Sequence, residues 1–589
     1  MKKTVALRFI CLWGYLHLCL LIVAVFTPVT VLAGEKPKVA LVMKSLQNPF
    51  FSKMASGART YADRHDVSLD IFGIDRETDI DKQICIMEKL ITQKYQAIIL
   101  APADSKALIP VCKKAIQNKI IVINVDNPLH SKTLEQEGLS IPFVGSDNRA
   151  GAELIGRYIR KRLKGKGRVM IIEGIRGVEN SERRIEGLCN QFNMSPDIKV
   201  VASEPANWHS DEAFSLVTRL LEEQGVVDAI VCLNDSMALG ALKAIELAGL
   251  EKKILVSGYD NIETVQAAMC NGLIHATVYQ HQELMGEYGV RLSLMGLRGR
   301  SMPSQLSTPV DLVTREVIDK TIGLSISSLK NPYFRLLVDT AKSTAAVFNV
   351  RLVTADAENR DDKQLADILA LIKLGAEVII INPTHSATIE PGIELANRRG
   401  IPVIAVDRTV ASGNVLSLIA SDNTAGGALA ADVIARHLSG KGRVVEIEGI
   451  PGTSATHDRG TGFNTRLKSY PDIQVVAREP GYFMRDRAQA VMAGLIARNI
   501  AFDAVFAHND TMILGAVDAL GKSTAATKIL VGFDGIPEAL MAVNQNLITA
   551  TIAQIPEKMG RLAVTTAIQL FQGETVPKTV VSELELITH

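Results

Sequence analysis

The sequence predicts an α/β protein made of two successive copies of one module, each copy holding two lobes built on parallel sheets. Three observations carry this. Beyond its first 33 residues the chain repeats itself almost end to end. Within each copy, short Val/Ile/Leu-rich runs alternate with stretches of helical apolar spacing, the mark of βαβ units. Those runs are apolar at consecutive positions, as strands buried on both faces must be.

Five pairs of segments define the repeat. "SLQNPFF" (45–51) answers "SLKNPYF" (328–334), and "VGSDNRAGAELIG" (144–156) answers "IASDNTAGGALAA" (419–431). "LNDSMALGAL" (233–242) pairs with "HNDTMILGAV" (508–517), "VSGYDNIE" (256–263) with "VGFDGIPE" (531–538), and "IHATVYQ" (274–280) with "ITATIAQ" (548–554). The offset is 283 at Asn48/Asn331, 275 at Asp147/Asp422 and 274 at Gln280/Gln554. So slow a drift means two copies separated by a few small insertions.

The elements of copy one follow in order. "KVALVM" (38–43) reads as a strand, then a helix from Phe51 to about Arg64, then the strand "SLDIFGI" (68–74) and a helix from about Asp81 to Lys94. "AIILAPA" (97–103) and "IIVINVD" (120–126) continue the series with a helix between them. A second set opens at "RVMIIEGI" (168–175) and runs through "VVDAIVCLN" (226–234) and "KILVSGYD" (253–260). In such sheets ligands sit beyond the carboxyl ends of the strands. Asp126, Asn234 and Asp260 fall there, as do Asp407, Asn509 and Asp534 in copy two. Taken singly, each serves equally well as a cap for the next helix; six in matched positions favour a site. The joint "PVDLVTREVIDKTIGLSISS" (309–328) contains no flexible linker, so the copies abut.

Composition removes several function classes. Lys+Arg (64) and Asp+Glu (63) nearly cancel, giving a net charge of +1 and no basic face for nucleic acid or an anionic membrane. Lys2, Lys3 and Arg8, an apolar run from Phe9 to Phe26, and Val31-Leu32-Ala33 before Gly34 predict a signal peptide over 1–33 and export to the periplasm, with an uncleaved anchor as the alternative. Cys11 and Cys19 fall in that segment; Cys85, Cys112, Cys189, Cys232 and Cys270 read as small apolar core residues, with one oxidised pair as the alternative. No Cys/His spacing suits zinc. "GKST" (521–524) has the wrong preceding glycine spacing for a phosphate loop, and "DRETDID" (75–81) lacks the Gly and Glu of a calcium loop. No cofactor, no metal and no catalytic residues are expected, so the chain does not read as an enzyme.

At the repeated motifs the sequence resembles the periplasmic sugar-binding proteins of the ribose-binding type. The motifs are "NPF/Y-F" after the first strand, "SDN" at a lobe crossover, "ND-x-M-x-x-G", "G-x-D" and a closing "AT-x-x-Q", and the likeness spans both copies. It implies two Rossmann-like lobes per module, joined by three hinge strands that close over a monosaccharide. On this pattern module 1 spans 36–316, with lobes of about 36–146 plus 281–305 and 147–280 plus 306–316. Module 2 spans 319–589, with lobes of about 319–421 plus 555–579 and 422–554 plus 580–589. The implied partners are a permease powered by a separate ATPase, or a membrane receptor such as a chemoreceptor or histidine kinase, with the chain itself a monomer. Repressors share the core but carry a DNA-binding element where this chain has its signal segment.

Residue by residue, copy two is similar to the ribose-binding branch. Asn331, Tyr333 and Phe334 match after the first strand, Asp407 and Arg408 match in "VDRT", and Arg459 matches in "GTSATHDRGTGF". Phe483, Asn509, Asp534 and Gln554 complete the set, with Ser327 as an added contact, which implies a pentose, ribose first. Copy one keeps Asn48, Phe50, Phe51, Arg184, Asn234, Asp260 and Gln280 but departs elsewhere. Lys44 stands at the place of Ser327, "VDNP" gives Asp126 and Asn127 without the arginine, Trp208 stands opposite Phe483, and Ala101 replaces Asn382. With the "HSKTLEQEGLSIPF" insertion (130–143), these look more like the allose-binding branch and imply a hexose.

Elementary chemistry points the same way. A sugar hydroxyl both donates and accepts; carboxylates accept only, while Arg, Lys and amide NH₂ groups donate. Pairing the two kinds satisfies each hydroxyl in both roles. The C–H faces of the ring are apolar, so Phe51/Trp208 and Phe334/Phe483 are expected to sandwich them. Core packing is the competing reading for Phe50 and Tyr333, and a solvated strand-end charge for Lys44.

Overall fold

A computed structural model describes residues 36–589; the expected signal segment lies outside them. Among the described residues no helix is long and apolar enough to cross a membrane. The chain divides into two compact units. One holds the residues up to Asn148 together with Ile175–Arg183 and Gln280–Val310; the other holds Arg149–Gly174, Arg184–Tyr279 and Asp311–His589.

The first unit contains one parallel six-stranded sheet, in the order Gln305–Thr308, Phe143–Ser146, Ile121–Val125, Ala97–Leu100, Lys38–Ser45, Ser68–Ile74. Its opening strand shows why the runs are apolar throughout. Val39, Leu41 and Met43 enter the core under the Pro49–Arg64 and Gln282–Leu297 helices, while Ala40 and Val42 enter the core on the other face. Successive side chains of a strand alternate faces, so a sheet covered on both sides favours apolar residues at consecutive positions.

The second unit contains three sheets. The second sheet of copy one runs Asp311–Thr314, Ala276–Tyr279, Leu255–Ser257, Ala229–Cys232, Lys166–Glu173, Asp197–Pro205. Copy two has Arg351–Asp356, Thr321–Ile326, Val378–Ile381, Val403–Val406, Ser417–Ser421, Thr579–Ser582 in its first sheet. Its second sheet is Asp472–Pro480, Lys441–Glu448, Ala504–Ala507, Ile529–Asp534, Ala550–Ala553, Glu585–Thr588. Among the described residues only the edge strands Asp311–Thr314 and Glu585–Thr588 pair antiparallel. Copy two crosses between its sheets three times, after Ser421, Ala553 and Ser582.

Element ends differ from the sequence reading for local reasons. The first helix starts at Pro49 rather than Phe51, because the Asn48 side chain accepts from the Phe50 N–H and Pro49 fills the first helical position without wasting a donor. The third strand stops at Leu100; Ala101 still donates to Val42, but Pro102 has no N–H to continue the ladder. The insertion at 130–143 forms a short helix, Ser131–Gln136. The cysteine reading holds only in part. Cys112 and Cys232 are buried, but Cys85 and Cys270 are exposed and Cys189 is half-buried, and all five are free thiols. Cys85 and Cys270 lie on the outer faces of their amphipathic helices, where a small apolar side chain is tolerated.

Candidate functional site

In copy two, both sheets present the carboxyl ends of their strands to one cleft. Ser327 follows Ile326, Asp407 follows Val406, Asn509 lies two residues past Ala507, Asp534 ends its strand and Gln554 follows Ala553. The cleft is narrow and is lined by Asn331, Tyr333, Phe334, Asp407, Arg408, Ala455, Arg459, Phe483, Asn509, Asp534 and Gln554. Ten of the eleven residues expected for module 2 therefore meet; Ser327 is fully buried just behind the lining, and Ala455 was not anticipated.

The charged groups are held by the protein around them. Asp407 sits at φ 67° and accepts from Asn382 Nδ2 at 3.2 Å, and Asn382 Oδ1 in turn accepts from the Ser327 N–H. Arg408 donates from one terminal nitrogen to the Pro383 carbonyl at 2.9 Å, and its Nε lies 3.7 Å from Asp407. The Arg408 guanidinium is 5.4 Å from the Phe334 ring and 5.5 Å from the Phe483 ring. Arg459 stacks on Phe533 at 3.8 Å, donates to Asn423 Oδ1 and the His508 carbonyl, and reaches Asp534 at 3.4 Å. Gln554 Nε2 donates to the same Asp534 oxygen at 2.9 Å. Burial nevertheless pushes the Asp534 carboxyl up to about 7, against the pull of Arg459 and Gln554.

Four polar atoms of this set are buried without a hydrogen-bond partner in the protein: Arg408 Nε, Asn509 Nδ2, Gln554 Oε1 and Ser327 Oγ. Such groups cost about 1–3 kcal/mol each when left unpaired. They are two donors, an acceptor and a hydroxyl, and three of them line one cleft.

The expected residues of copy one fall in both compact units. Within the first unit, Lys44 is 3% exposed and lies 3.4 Å from Asp126 and 3.7 Å from Glu77, with its ammonium 5.8 Å from the Phe51 ring. This overturns the solvated reading of Lys44: a buried ammonium requires paired carboxylates, and it has two. Asn48 Nδ2 donates to Glu77, so Glu77, which the sequence showed only as part of a discounted calcium-loop match, ties two expected residues together. Phe50 and Phe51 meet edge to face at 5.0 Å. Asn127 donates to the Pro102 carbonyl, the counterpart of the Pro383 carbonyl used by Arg408, but its shorter side chain ends there. Gln280 accepts from Ser146 Oγ at 2.6 Å.

Within the second unit, Arg184 stacks on Tyr259 at 3.7 Å as Arg459 does on Phe533, and lies 5.5 Å from Trp208. Asn234 caps the Asp235–Leu247 helix through the Met237 N–H and donates to the Trp208 carbonyl. Trp208 is buried with no partner for its Nε1. Left-handed backbone recurs at matched positions: Asp126 and Asp407 (φ 65° and 67°), Trp208 and Phe483 (70° and 59°), Asp260 and Asp534 (126° and 115°). Non-glycine residues, and bulky aromatics above all, adopt this backbone rarely, and such strain clusters at functional sites.

The shared motifs lock these positions. Asp510 accepts from Thr551 Oγ1 and the N–H groups of Gly535 and Ile536, and Asp235 likewise takes Thr277 Oγ1 and the Ile262 N–H. One carboxylate thus ties "ND-x-M", "G-x-D" and "AT-x-x-Q" into a knot beneath the site. A Cβ on Gly258 or Gly532 would lie 2.1 or 2.2 Å from that carboxylate, which accounts for the glycine of "G-x-D". A Cβ on Gly174 or Gly449 would lie 2.0 Å from the Trp208 or Phe483 ring, so the glycine after each "IE" is the floor on which the aromatic rests.

Two parallel-sheet lobes converging on a small polar cleft, as in copy two, define a two-lobed binding protein for a small hydroxylated molecule. The periplasmic binding protein domain matches the chain twice, over residues 39–301 and 322–575, and the chain belongs to that family in duplicate. A D-ribose/D-allose-binding protein of Pseudomonas aeruginosa is 38% identical over 286 residues, 48% of this chain and 89% of its own. The ribose import binding protein of Escherichia coli is 39% identical over 267 residues, 45% of this chain and 90% of its own. A solved solute-binding protein from Actinobacillus succinogenes with bound D-allose is 35% identical and covers 48% of this chain and 98% of that one, at a TM-score of 0.47. These relatives are substrate-binding proteins, not enzymes.

Proposed function

We propose that the protein carries two monosaccharide sites, one in each copy, and delivers sugar to a membrane transporter of the ATP-driven class by hinge closure. Module 2 takes a pentose, ribose first: Asp407 and Asp534 accept from sugar hydroxyls, Arg408, Arg459, Asn509 and Gln554 donate, and Phe334 and Phe483 cover the apolar ring faces. Copy one takes a different sugar, a hexose, through Lys44, Asn48, Asp126, Asn127, Arg184, Asn234, Asp260 and Gln280, with Phe50, Phe51 and Trp208 as its aromatic walls. The observation that carries this reading is the meeting of ten expected residues in the module 2 cleft, with buried donors and acceptors left unpaired there. Calorimetric titration of residues 34–589 with D-ribose, D-allose and a panel of hexoses and sugar alcohols tests it. Saturable heat with ribose and with a second sugar is expected; no heat from any member of the panel would overturn it.

A further inference from the structure

Two helices of copy two begin at its cleft and end on copy one. The Pro332–Val347 helix is capped by Asn331 and carries Tyr333 and Phe334 into the cleft. The Pro556–Phe571 helix starts two residues after Gln554. They pack as a pair: Tyr333 donates to Met559 Sδ at 3.1 Å, and a Cβ on Gly560 would lie 2.2 Å from the Leu337 carbonyl. Each spans about 24 Å at the standard helical rise.

Their far ends meet the residues that flank copy one's own expected site. The Val347 carbonyl, left without a partner inside its helix, accepts from Asn261 Nδ2 at 3.2 Å and Gln266 Nε2 at 3.1 Å. Asn261 directly follows Asp260. Phe348, which ends the helix, meets Tyr279 edge to face at 6.3 Å, and Tyr279 directly precedes Gln280. At the end of the second helix, Gln572 Nε2 donates to the Leu312 carbonyl at 2.7 Å, on the strand paired with Ala276–Tyr279, and its own carbonyl receives Lys161 Nζ at 3.5 Å. Asn261 and Tyr279 are buried.

We propose that this helix pair transmits occupancy of the module 2 cleft to the Gly258–Ile262 loop of copy one, so that the two sites bind cooperatively rather than independently. The proposal rests on the sugar reading of module 2. A ligand that holds Asn331, Tyr333, Phe334 and Gln554 biases the starts of both rods, and their ends bear on the backbone that sets Asp260 and Gln280. Coupling of this kind is reciprocal and typically changes affinity about 5- to 150-fold.

Hydrogen exchange read by mass spectrometry tests it, on residues 34–589 carrying Asp126→Ala so that added D-ribose acts at module 2. Ribose is expected to slow exchange about fivefold or more at 331–337 and 407–409, and also to change it at 258–266. In N261A/Q266A the cleft response persists and the response at 258–266 is lost; Gln266→Ala alone, which leaves buried Asn261 in place, weakens it. Protection confined to the cleft, or a response at 258–266 that survives in the double variant, would overturn the coupling. No protection even at the cleft would overturn the sugar reading beneath it.

Discussion

Asp534 gives the module 2 cleft a pH signature. Its carboxyl is pushed up to about 7 by burial, and a sugar hydroxyl donating to it stabilises the ionised form. Binding therefore releases a proton wherever the free site is protonated, and affinity falls as pH drops below 7, by up to about tenfold per unit. Titrations between pH 8 and 5.5 should show this slope for ribose, and Asp534→Asn should flatten it along with weakening binding; a flat wild-type profile refutes the assignment. For the fold the sign is opposite. With a folded value above the ordinary carboxylate range, this group's contribution to stability declines as pH rises from about 4 to 7 and is constant above. Asp407→Ala should weaken ribose binding about ten- to a hundredfold, the worth of charged hydrogen bonds, and leave the second sugar's heat unchanged. At this scale the sequence named the side chains that line the module 2 cleft but not what braces them. Lys44 and Asp126 stood out at strand ends, whereas Glu77 is an unremarkable acid in a loop until the fold brings it to Lys44. Asn423 is likewise legible only as part of "SDN" until Arg459 is seen donating to it.

At the scale of elements, the repeated motifs are solutions to packing problems set by strand-end turns. "NPF/Y-F" couples a side-chain cap to a proline at the first helical position, so that two aromatics leave the strand end at a fixed angle. The carboxylate of "ND-x-M" fastens two neighbouring loops, and the glycine of "G-x-D" makes room for it. The glycines after "IE" carried no signal in the sequence beyond being repeated, because the aromatic resting on each lies 34 residues further along. Gly449→Ala should push the Phe483 ring off its floor. We expect the ribose dissociation constant to rise at least about tenfold while the melting temperature falls by only a few degrees, the pattern of a displaced binding wall. Equal ribose affinity in this variant would mean that Phe483 does not wall the site. Copy two also buries a Glu446–His508 pair at 3.0 Å, where copy one has Ile171 and Leu233. Both solutions fill the same layer behind Arg459 and Arg184, one with satisfied polar groups and one with apolar side chains.

For the whole molecule, the duplication and the α/β layering were readable from the sequence because both are written in local pattern: period, apolar runs and motif spacing. Which residues share a cleft was not, since that depends on where parallel strands 100 or more residues apart end. The resemblance supplied that missing geometry for copy two, and ten of the eleven expected residues meet there. If module 2 closes over its sugar about the three crossings between its sheets, ribose should reduce the radius of gyration in solution scattering, and Asp407→Ala should shift the change to about ten- to a hundredfold higher ribose; a value independent of ligand contradicts hinge closure. The most direct test of the central claim is a crystal structure of residues 34–589 grown with D-ribose. The expected result is a pentose between Phe334 and Phe483, its hydroxyls on Asp407, Arg408, Arg459, Asn509, Asp534 and Gln554. A sugar bound elsewhere in module 2, or that cleft occupied by a ligand without hydroxyls, would contradict it.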